Sequence, residues 1–178
     1  MKTKDILRAI EFATIKHQGQ KRRGTGADYI VHPIIVSELL RQYKSSKHIN
    51  TLIIASILHD TLEDTKTDFV ELATVFSPMV AGLVLELTSD TNEIDRLKKE
   101  LGKDKAKNAY MQRKLLGMSS YALVIKLVDR LSNIMDKPTS KYLVDTKELL
   151  VWLKDNRKLS KTQNRIVDDI MIEIKKGS

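Results

Sequence analysis

The sequence contains no cysteine, and this absence excludes disulfide bonds, thiolate nucleophiles and cysteine-ligated zinc sites together. It also contains no apolar run that approaches the roughly 18 to 20 residues of a membrane-spanning helix. The N-terminus, MKTKDILRAIEFA, lacks the apolar region of a signal peptide and instead has the pattern of an amphipathic helix. The expectation is a cytoplasmic protein that does not enter a membrane.

The alternating apolar and polar pattern of a half-buried strand is lacking as well. Almost every segment has the 3.6-residue period of a helix instead, and the predicted helices cover 3–18, 33–43, 49–62, 68–76, 78–87, 104–117, 120–135 and 144–156, with a last one from Ser160. The polar segment 89–104 is expected to be a mobile excursion. The chain has no repeat or Pro/Gly/Ser-rich linker, and 178 residues suffice for one core. We therefore predict an all-α helical bundle of eight or more helices, forming one domain over 1–178.

The formal net charge of +8 is unevenly distributed along the chain. Residues 1–50 carry 10 basic and 4 acidic side chains, whereas residues 51–100 carry 4 basic and 10 acidic ones. A general nucleic-acid binder more often concentrates its positive charge on one helix or tail. Cationic walls around an acidic centre would suit a polyphosphate substrate, although a solvated surface excess explains the same composition.

The acidic centre is the segment LHDTLEDT at 58–65, which follows the apolar residues of a helix predicted to be buried. It contains four ionisable side chains within six positions: His59, Asp60, Glu63 and Asp64. Burying charge without a partner is unfavourable, so the segment requires cations from elsewhere in the chain or a metal ion. Taken alone, a His-Asp pair is usually incidental, and Glu63 and Asp64 would pass for a solvated helix end.

Two residues that are distant from this segment in sequence are further possible metal ligands. Asp129 lies within the apolar run ALVIKLVDRLSNIM, and His32 ends the first loop immediately before Pro33. Together with His59 and Asp60 they form a mixed nitrogen and oxygen set suited to Mn²⁺, Fe²⁺ or Zn²⁺. The plainer interpretations are a loop histidine and a carboxylate salt-bridged to a neighbouring lysine or arginine.

Four segments resemble the signature segments of HD-superfamily proteins: HQGQKRRGTGADYIVHP, ASILHDTLEDT, LELTSDT and ALVIKLVDRLSNI. Within that superfamily they resemble the hydrolase domains of RelA/SpoT homologues and their small single-domain relatives. The matches extend from His17 to Asn133 in the family's order and at compatible spacings. The length fits a stand-alone hydrolase without a synthetase domain.

The resemblance implies an HD-domain helical bundle, a reaction and a set of site residues. The reaction is removal of the 3′-pyrophosphate of guanosine tetra- or pentaphosphate, which gives GDP or GTP. The implied ligands of one Mn²⁺ ion are His32, His59, Asp60 and Asp129. The residues implied to activate the hydrolytic water are Glu63 and Asp64, and which of them is the base stays open. The residues implied to contact the nucleotide are Arg22, Arg23 and Asn133.

Departures from the family pattern lie in the region implied to recognise the base. Ala27 and Asp28 stand where the family pattern has any residue followed by proline. Ser132 replaces a common histidine or aromatic residue, and the residues from Asp136 onward differ from those that usually follow the asparagine. The alternatives are therefore an HD-type phosphohydrolase for another nucleotide, such as an adenosine alarmone or NADPH, and a catalytically silent HD binding module. A nucleic-acid-binding helical protein is a further alternative, but no reading motif supports it. The expected partner is a small nucleotide, with no nucleic acid or membrane and a possible homo-oligomer.

Overall fold

The structure is a computed structural model that describes residues 3–176. Its eleven helices in this part of the chain are α1 Thr3–Lys16, α2 Val31–Tyr43, α3 Ile49–Ile57, α4 Thr61–Asp64, α5 Phe69–Val75, α6 Pro78–Leu87, α7 Thr91–Leu101, α8 Lys103–Gly117, α9 Ser120–Met135, α10 Ser140–Asn156 and α11 Lys161–Lys176. Within residues 3–176, the β-type pairing consists of one isolated bridge between Lys21 and Asp28. The prediction of an all-α fold is confirmed. Within 3–176, no helix is both long and apolar enough to cross a membrane.

Helices α3 and α9 form the centre of the hydrophobic core. Every residue of α3 from 51 to 57 is buried, as expected for a helix that is apolar on all sides. Helix α9 buries ten of its residues and packs against α2, α3, α6 and α11. Because both central helices are fixed on several sides, polar groups at their ends and faces are held in place by the core.

Several helix starts are specified locally by side-chain caps. Ser77 caps the helix that begins at Pro78 by accepting a hydrogen bond from the Val80 amide at 3.2 Å. A capping box, for which the sequence Ser-Lys-Thr-Gln at 160–163 is typical, begins α11. The Ser160 amide donates to Gln163 Oε1 at 2.8 Å, and the Gln163 amide donates to Ser160 Oγ at 3.3 Å.

The segment 89–104, which is expected to be a mobile excursion, contains the helix α7, which is not among the predicted helices. The Asp90 carboxylate caps α7 by accepting from the Glu93 amide at 3.0 Å, and Gly102 ends it with φ +79°. Leu97 packs with Ala106 and Tyr110 of α8 in a small second core. The sequence signal was the spacing of Ile94, Leu97 and Leu101, which forms a narrow apolar stripe in an otherwise polar segment.

The helix predicted over 49–62 is interrupted. Helix α3 ends at Ile57, residues 58–60 form a turn, and α4 begins at Thr61. The Thr61 hydroxyl donates to the Leu58 carbonyl at 2.7 Å and thereby satisfies a backbone group that the break exposes. His59 and Asp60 consequently lie in a turn at the edge of the core rather than along a helix. The helix predicted from 144 also begins earlier, at Ser140, with a cap from Thr139.

Candidate metal centre and substrate cleft

Three elements bring the candidate metal ligands together. His32 lies in the first turn of α2, His59 in the turn after α3, and Asp129 in the middle of α9. One ligand atom from each of these buried residues lies within 4.8 Å of the other two. The donors are two imidazole nitrogens and one carboxylate oxygen, a set that suits a divalent transition-metal ion.

The tautomer of His59 is fixed by the backbone. Its Nδ1 donates to the Ser56 carbonyl at 2.7 Å, because a carbonyl oxygen can only accept. Its Nε2 is buried and has no hydrogen-bond partner among residues 3–176, although it lies 2.9 Å from Asp60 Oδ2 and 3.7 Å from Asp129 Oδ1. A buried polar atom without a partner costs about 1–3 kcal/mol. We call Nδ1 the outer nitrogen and Nε2 the inner nitrogen of His59. A histidine that binds a metal typically has this arrangement, with the outer nitrogen donating to the protein and the inner nitrogen free to bind the metal.

Asp129 is surrounded by donors. Its Oδ1 lies 3.1 Å from His32 Nε2 and accepts from Asn133 Nδ2 at 2.7 Å, and its Oδ2 pairs with Lys126 Nζ at 3.0 Å. Burial alone would raise the pKa of Asp129, but the Lys126 ammonium and the hydrogen bond from His32 hold this pKa well below its usual range. The carboxylate is therefore charged, and a cation beside it is favoured.

The electrostatics at His59 indicate the same preference for positive charge. Burial lowers the pKa of His59, but the Asp60 and Asp129 carboxylates outweigh burial and raise the pKa to about 10. The carboxylates thus favour a cation at the inner nitrogen, whether a proton or a metal ion. A metal ion bound there replaces that proton. The residues present therefore fit a divalent ion in charge as well as in donor type.

Asp60, the fourth predicted ligand, stands apart from the three-residue cluster. Its Oδ2 lies near His59 Nε2 and also accepts a hydrogen bond from the Tyr29 hydroxyl. Burial would raise the pKa of Asp60, but His59 lowers it below its usual range. Burial and the Asp60 carboxylate raise the pKa of Tyr29, so the phenol stays protonated and donates. The structure thus joins Asp60 to the centre through His59.

Glu63 and Asp64, the predicted catalytic pair, have different surroundings. Glu63 Oε2 accepts from the Ser89 amide at 2.8 Å, and Glu63 lines a cavity of about 240 Å³ together with Asp129 and Lys126. Asp64 does not line that cavity. Burial, followed by the neighbouring carboxylates Asp60 and Glu63, raises the pKa of Asp64.

The predicted substrate residues lie beside the same centre. Arg22 donates from Nε and Nη2 to Asp136 Oδ2 at 3.0 and 2.7 Å, and from Nη2 to Asn133 Oδ1 at 3.0 Å. Since Asn133 also donates to Asp129, a chain of hydrogen bonds connects Arg22 with the metal centre. Arg22, the exposed Arg23 and Asn133 line a cavity of about 270 Å³.

Sequence reasoning missed several residues around this cleft. The cavity next to Glu63 also contains three cationic side chains, Lys107, Lys126 and Arg130. A further cavity of about 340 Å³ is lined by Arg22 together with Val31, Ile35 and Met135. Lys126 lies three residues before Asp129, where the sequence indicates only a salt-bridge partner, and Lys107 lies in α8, which the sequence pattern does not connect with α9.

Comparison with known proteins agrees with this geometry. The HD-domain family model matches residues 9–152. The chain therefore belongs to the HD-domain family.

Within the family, the relatives are of the type that the motifs indicated. The chain is 34% identical over 132 residues to the human guanosine-3′,5′-bis(diphosphate) 3′-pyrophosphohydrolase MESH1, covering 74% of this chain and 68% of that protein. It is 31% identical over 178 residues to the Spiroplasma citri protein of the same enzyme name, covering 96% of this chain. The resemblance to RelA/SpoT-type hydrolases is thus confirmed. The chain spans only 23% of the length of the Spiroplasma citri relative and 17% of that of an Aquifex aeolicus relative.

A solved structure supports the same fold. It is described as a metazoan orthologue of SpoT that hydrolyses ppGpp, and it superposes with a TM-score of 0.75 at 26% identity. The match covers 97% of both chains. The prediction of an HD-domain helical bundle is therefore confirmed.

Replacing Asp129 tests the candidate metal centre. We expect Asp129→Ala and Asp129→Asn proteins to lose a bound divalent ion, because both lack the charged oxygen that His32 and His59 face. Metal content after dialysis measures this, with circular dichroism as the check on folding. Asp168→Ala is the matched control, since Asp168 is also paired with a lysine but lies on the surface, 2.7 Å from Lys154 Nζ. Full retention of the ion in both Asp129 variants would contradict the assignment.

Proposed function

We propose that this protein is a metal-dependent hydrolase that removes the 3′-pyrophosphate of (p)ppGpp, giving GDP or GTP and pyrophosphate. The observation that carries the proposal is the convergence of His32, His59 and Asp129 beside Asn133, which also lines a cavity whose charged residues are mostly cationic: Lys21, Arg22, Arg23 and Lys137 against Asp136. The enzyme names of the relatives support the substrate.

His32, His59, Asp60 and Asp129 would hold the ion, for which Mn²⁺ is the proposed identity. A divalent ion lowers the pKa of a water molecule that it binds and can hold a phosphate oxygen at the same time. The buried imidazoles and the charged Asp129 provide the fixed ligands, while Lys126 and Asn133 keep the Asp129 carboxylate oriented.

Glu63 is the residue that we propose as the main acceptor of the water's proton. It lines the cavity that also contains Asp129, and its carboxylate is held by the Ser89 amide. The bond fixes one carboxylate oxygen and leaves the other available to accept a proton. Asp64 lies next to it in sequence, and burial together with the carboxylates of Asp60 and Glu63 raises the pKa of Asp64.

Arg22 and Arg23 have environments that suit different parts of a nucleotide. The charge of Arg22 is offset by Asp136, and its guanidinium lies 5.9 Å from the centre of the Tyr29 ring. A neutralised, fixed guanidinium beside an apolar cavity is suited to stacking on a base. Arg23 is exposed and makes no ion pair within the described part of the chain, so its charge is available to a phosphate.

Product analysis tests the proposed function. Metal-depleted protein is incubated with ppGpp, with and without added Mn²⁺, and the products are separated. We expect GDP and pyrophosphate only with the metal. Release of orthophosphate, or turnover of an adenosine nucleotide or NADPH but not ppGpp, would replace this substrate by another, and inactivity on all of them would favour a silent binding module.

Glu63→Gln tests the role of the acidic pair. The amide oxygen can still accept from the Ser89 amide, so the fold is retained, but it cannot take up a proton. We expect kcat to fall by about 10²–10⁴-fold, with the metal still bound, and to fall less in Asp64→Asn. Glu86→Gln is the matched control, because Glu86 also accepts from a backbone amide, that of Ser119, at 2.6 Å. A Glu63→Gln enzyme with unchanged kcat would remove Glu63 from the mechanism.

Arg22 and Arg23 are separated by kinetics on ppGpp. Arg22→Ala should mainly raise KM, since stacking on a base is present in ground and transition states alike. Arg23→Ala should lower kcat/KM and weaken its dependence on ionic strength, as expected for loss of a phosphate contact. Lys21→Ala is the control, because Lys21 lines the same cavity but is paired with Asp28 at 2.6 Å. Unaltered kinetics in both arginine variants would argue against ppGpp as the substrate.

A further inference from the structure

The Asp60 side chain is less constrained by its own segment than the other candidate ligands. It belongs to the turn between α3 and α4, and 19% of its side chain is exposed, compared with 1% for His59 and 9% for Asp129. It is also the candidate ligand outside the cluster that His32, His59 and Asp129 form. Its orientation toward the centre therefore depends on a contact from elsewhere in the chain.

That contact is the Tyr29 hydroxyl, which donates to Asp60 Oδ2. The same oxygen lies 2.9 Å from His59 Nε2, the unpartnered nitrogen at the centre. Tyr29 thus holds the carboxylate oxygen that faces the candidate metal position. Its ring reaches Asp60 from the loop between α1 and α2, 31 residues earlier in the chain.

The loop is itself fixed around Tyr29. The Tyr29 amide donates to the Gln20 carbonyl at 3.1 Å, and the ring packs on the buried His17 ring with centroids 4.7 Å apart. Gln20 connects the loop with α4. Its Oε1 lies 2.8 Å from His17 Nδ1, and its Nε2 donates to the Asp64 carbonyl at 2.8 Å. These contacts hold the backbone and the ring of Tyr29, and they thereby fix the position of its hydroxyl.

We propose that Tyr29 is a positioning residue that orients the Asp60 carboxylate for metal binding. This inference rests on the proposed metal site and assigns Tyr29 a role separate from the nucleotide contacts of Arg22 and Arg23. Loss of a hydrogen bond to a metal ligand typically weakens metal affinity by about 10–100-fold. The Asp60 carboxylate would remain in Tyr29→Phe, but it would be free to rotate away from the centre.

Calorimetric titration of the metal-depleted protein with Mn²⁺ tests the inference. We expect Tyr29→Phe to bind Mn²⁺ about 10–100-fold more weakly, while its ring still packs on His17. The matched control is Tyr43→Phe, since the Tyr43 hydroxyl also donates to an aspartate, Asp169 Oδ2, at 2.6 Å and lies between α2 and α11. Tyr43→Phe should bind Mn²⁺ as the unaltered protein does, even though it also loses a tyrosine–aspartate hydrogen bond.

Kinetics provides a second readout that a purely structural role would not change. The Mn²⁺ concentration for half-maximal turnover should rise in Tyr29→Phe, and kcat should recover at saturating Mn²⁺. In an Asp60→Ala background, Tyr29→Phe should cause no additional loss of affinity, because the group that it orients is absent.

The outcomes separate this inference from the proposed site. Unaltered protein that binds no Mn²⁺ would overturn the metal site itself, and Asp60→Ala with normal affinity would remove Asp60 from it. Weakened binding in Asp60→Ala but normal binding in Tyr29→Phe would overturn only the role of Tyr29. An equal loss in Tyr43→Phe would show a general effect on stability and would likewise overturn it.

Discussion

The site depends on one buried carboxylate, that of Asp129. It lies in the middle of the core helix α9, where an unpaired charge is strongly disfavoured, and it is stabilised by Lys126, Asn133 and His32. Removing one member of a buried ion pair typically costs about 3–5 kcal/mol. The same groups that make the carboxylate tolerable in the core also orient it, so stability and the geometry of the centre come from one set of contacts.

The break after α3 supplies the other half of the centre. A continuous helix over 49–62 would have placed His59 and Asp60 about 100° apart on a regular surface. The turn at 58–60 instead directs the inner nitrogen of His59 toward Asp129, with its outer nitrogen bonded to the Ser56 carbonyl. The core helix α3 fixes the position of the turn, and the turn sets the direction of the side chains.

The sequence predicted the residue types of the centre better than their connections. His32, His59 and Asp129 are recognisable because ionisable residues beside or within apolar helices require a reason. The hydrogen bonds of Tyr29 to Asp60 and of Arg22 to Asp136 join segments 31 and 114 residues apart. No local period encodes such pairs, because they depend on how the loop between α1 and α2 folds over the core. Helix α7 was missed for a different reason: its apolar stripe is only three residues long.

The most direct measurement is anomalous diffraction from crystals of the protein grown with Mn²⁺, recorded near the manganese absorption edge. The account predicts one strong anomalous peak within bonding distance of His32 Nε2, His59 Nε2 and an Asp129 oxygen, with an Asp60 oxygen completing the protein ligands. A peak at another place in the chain, or an ordered centre with no anomalous signal at saturating Mn²⁺, would contradict it.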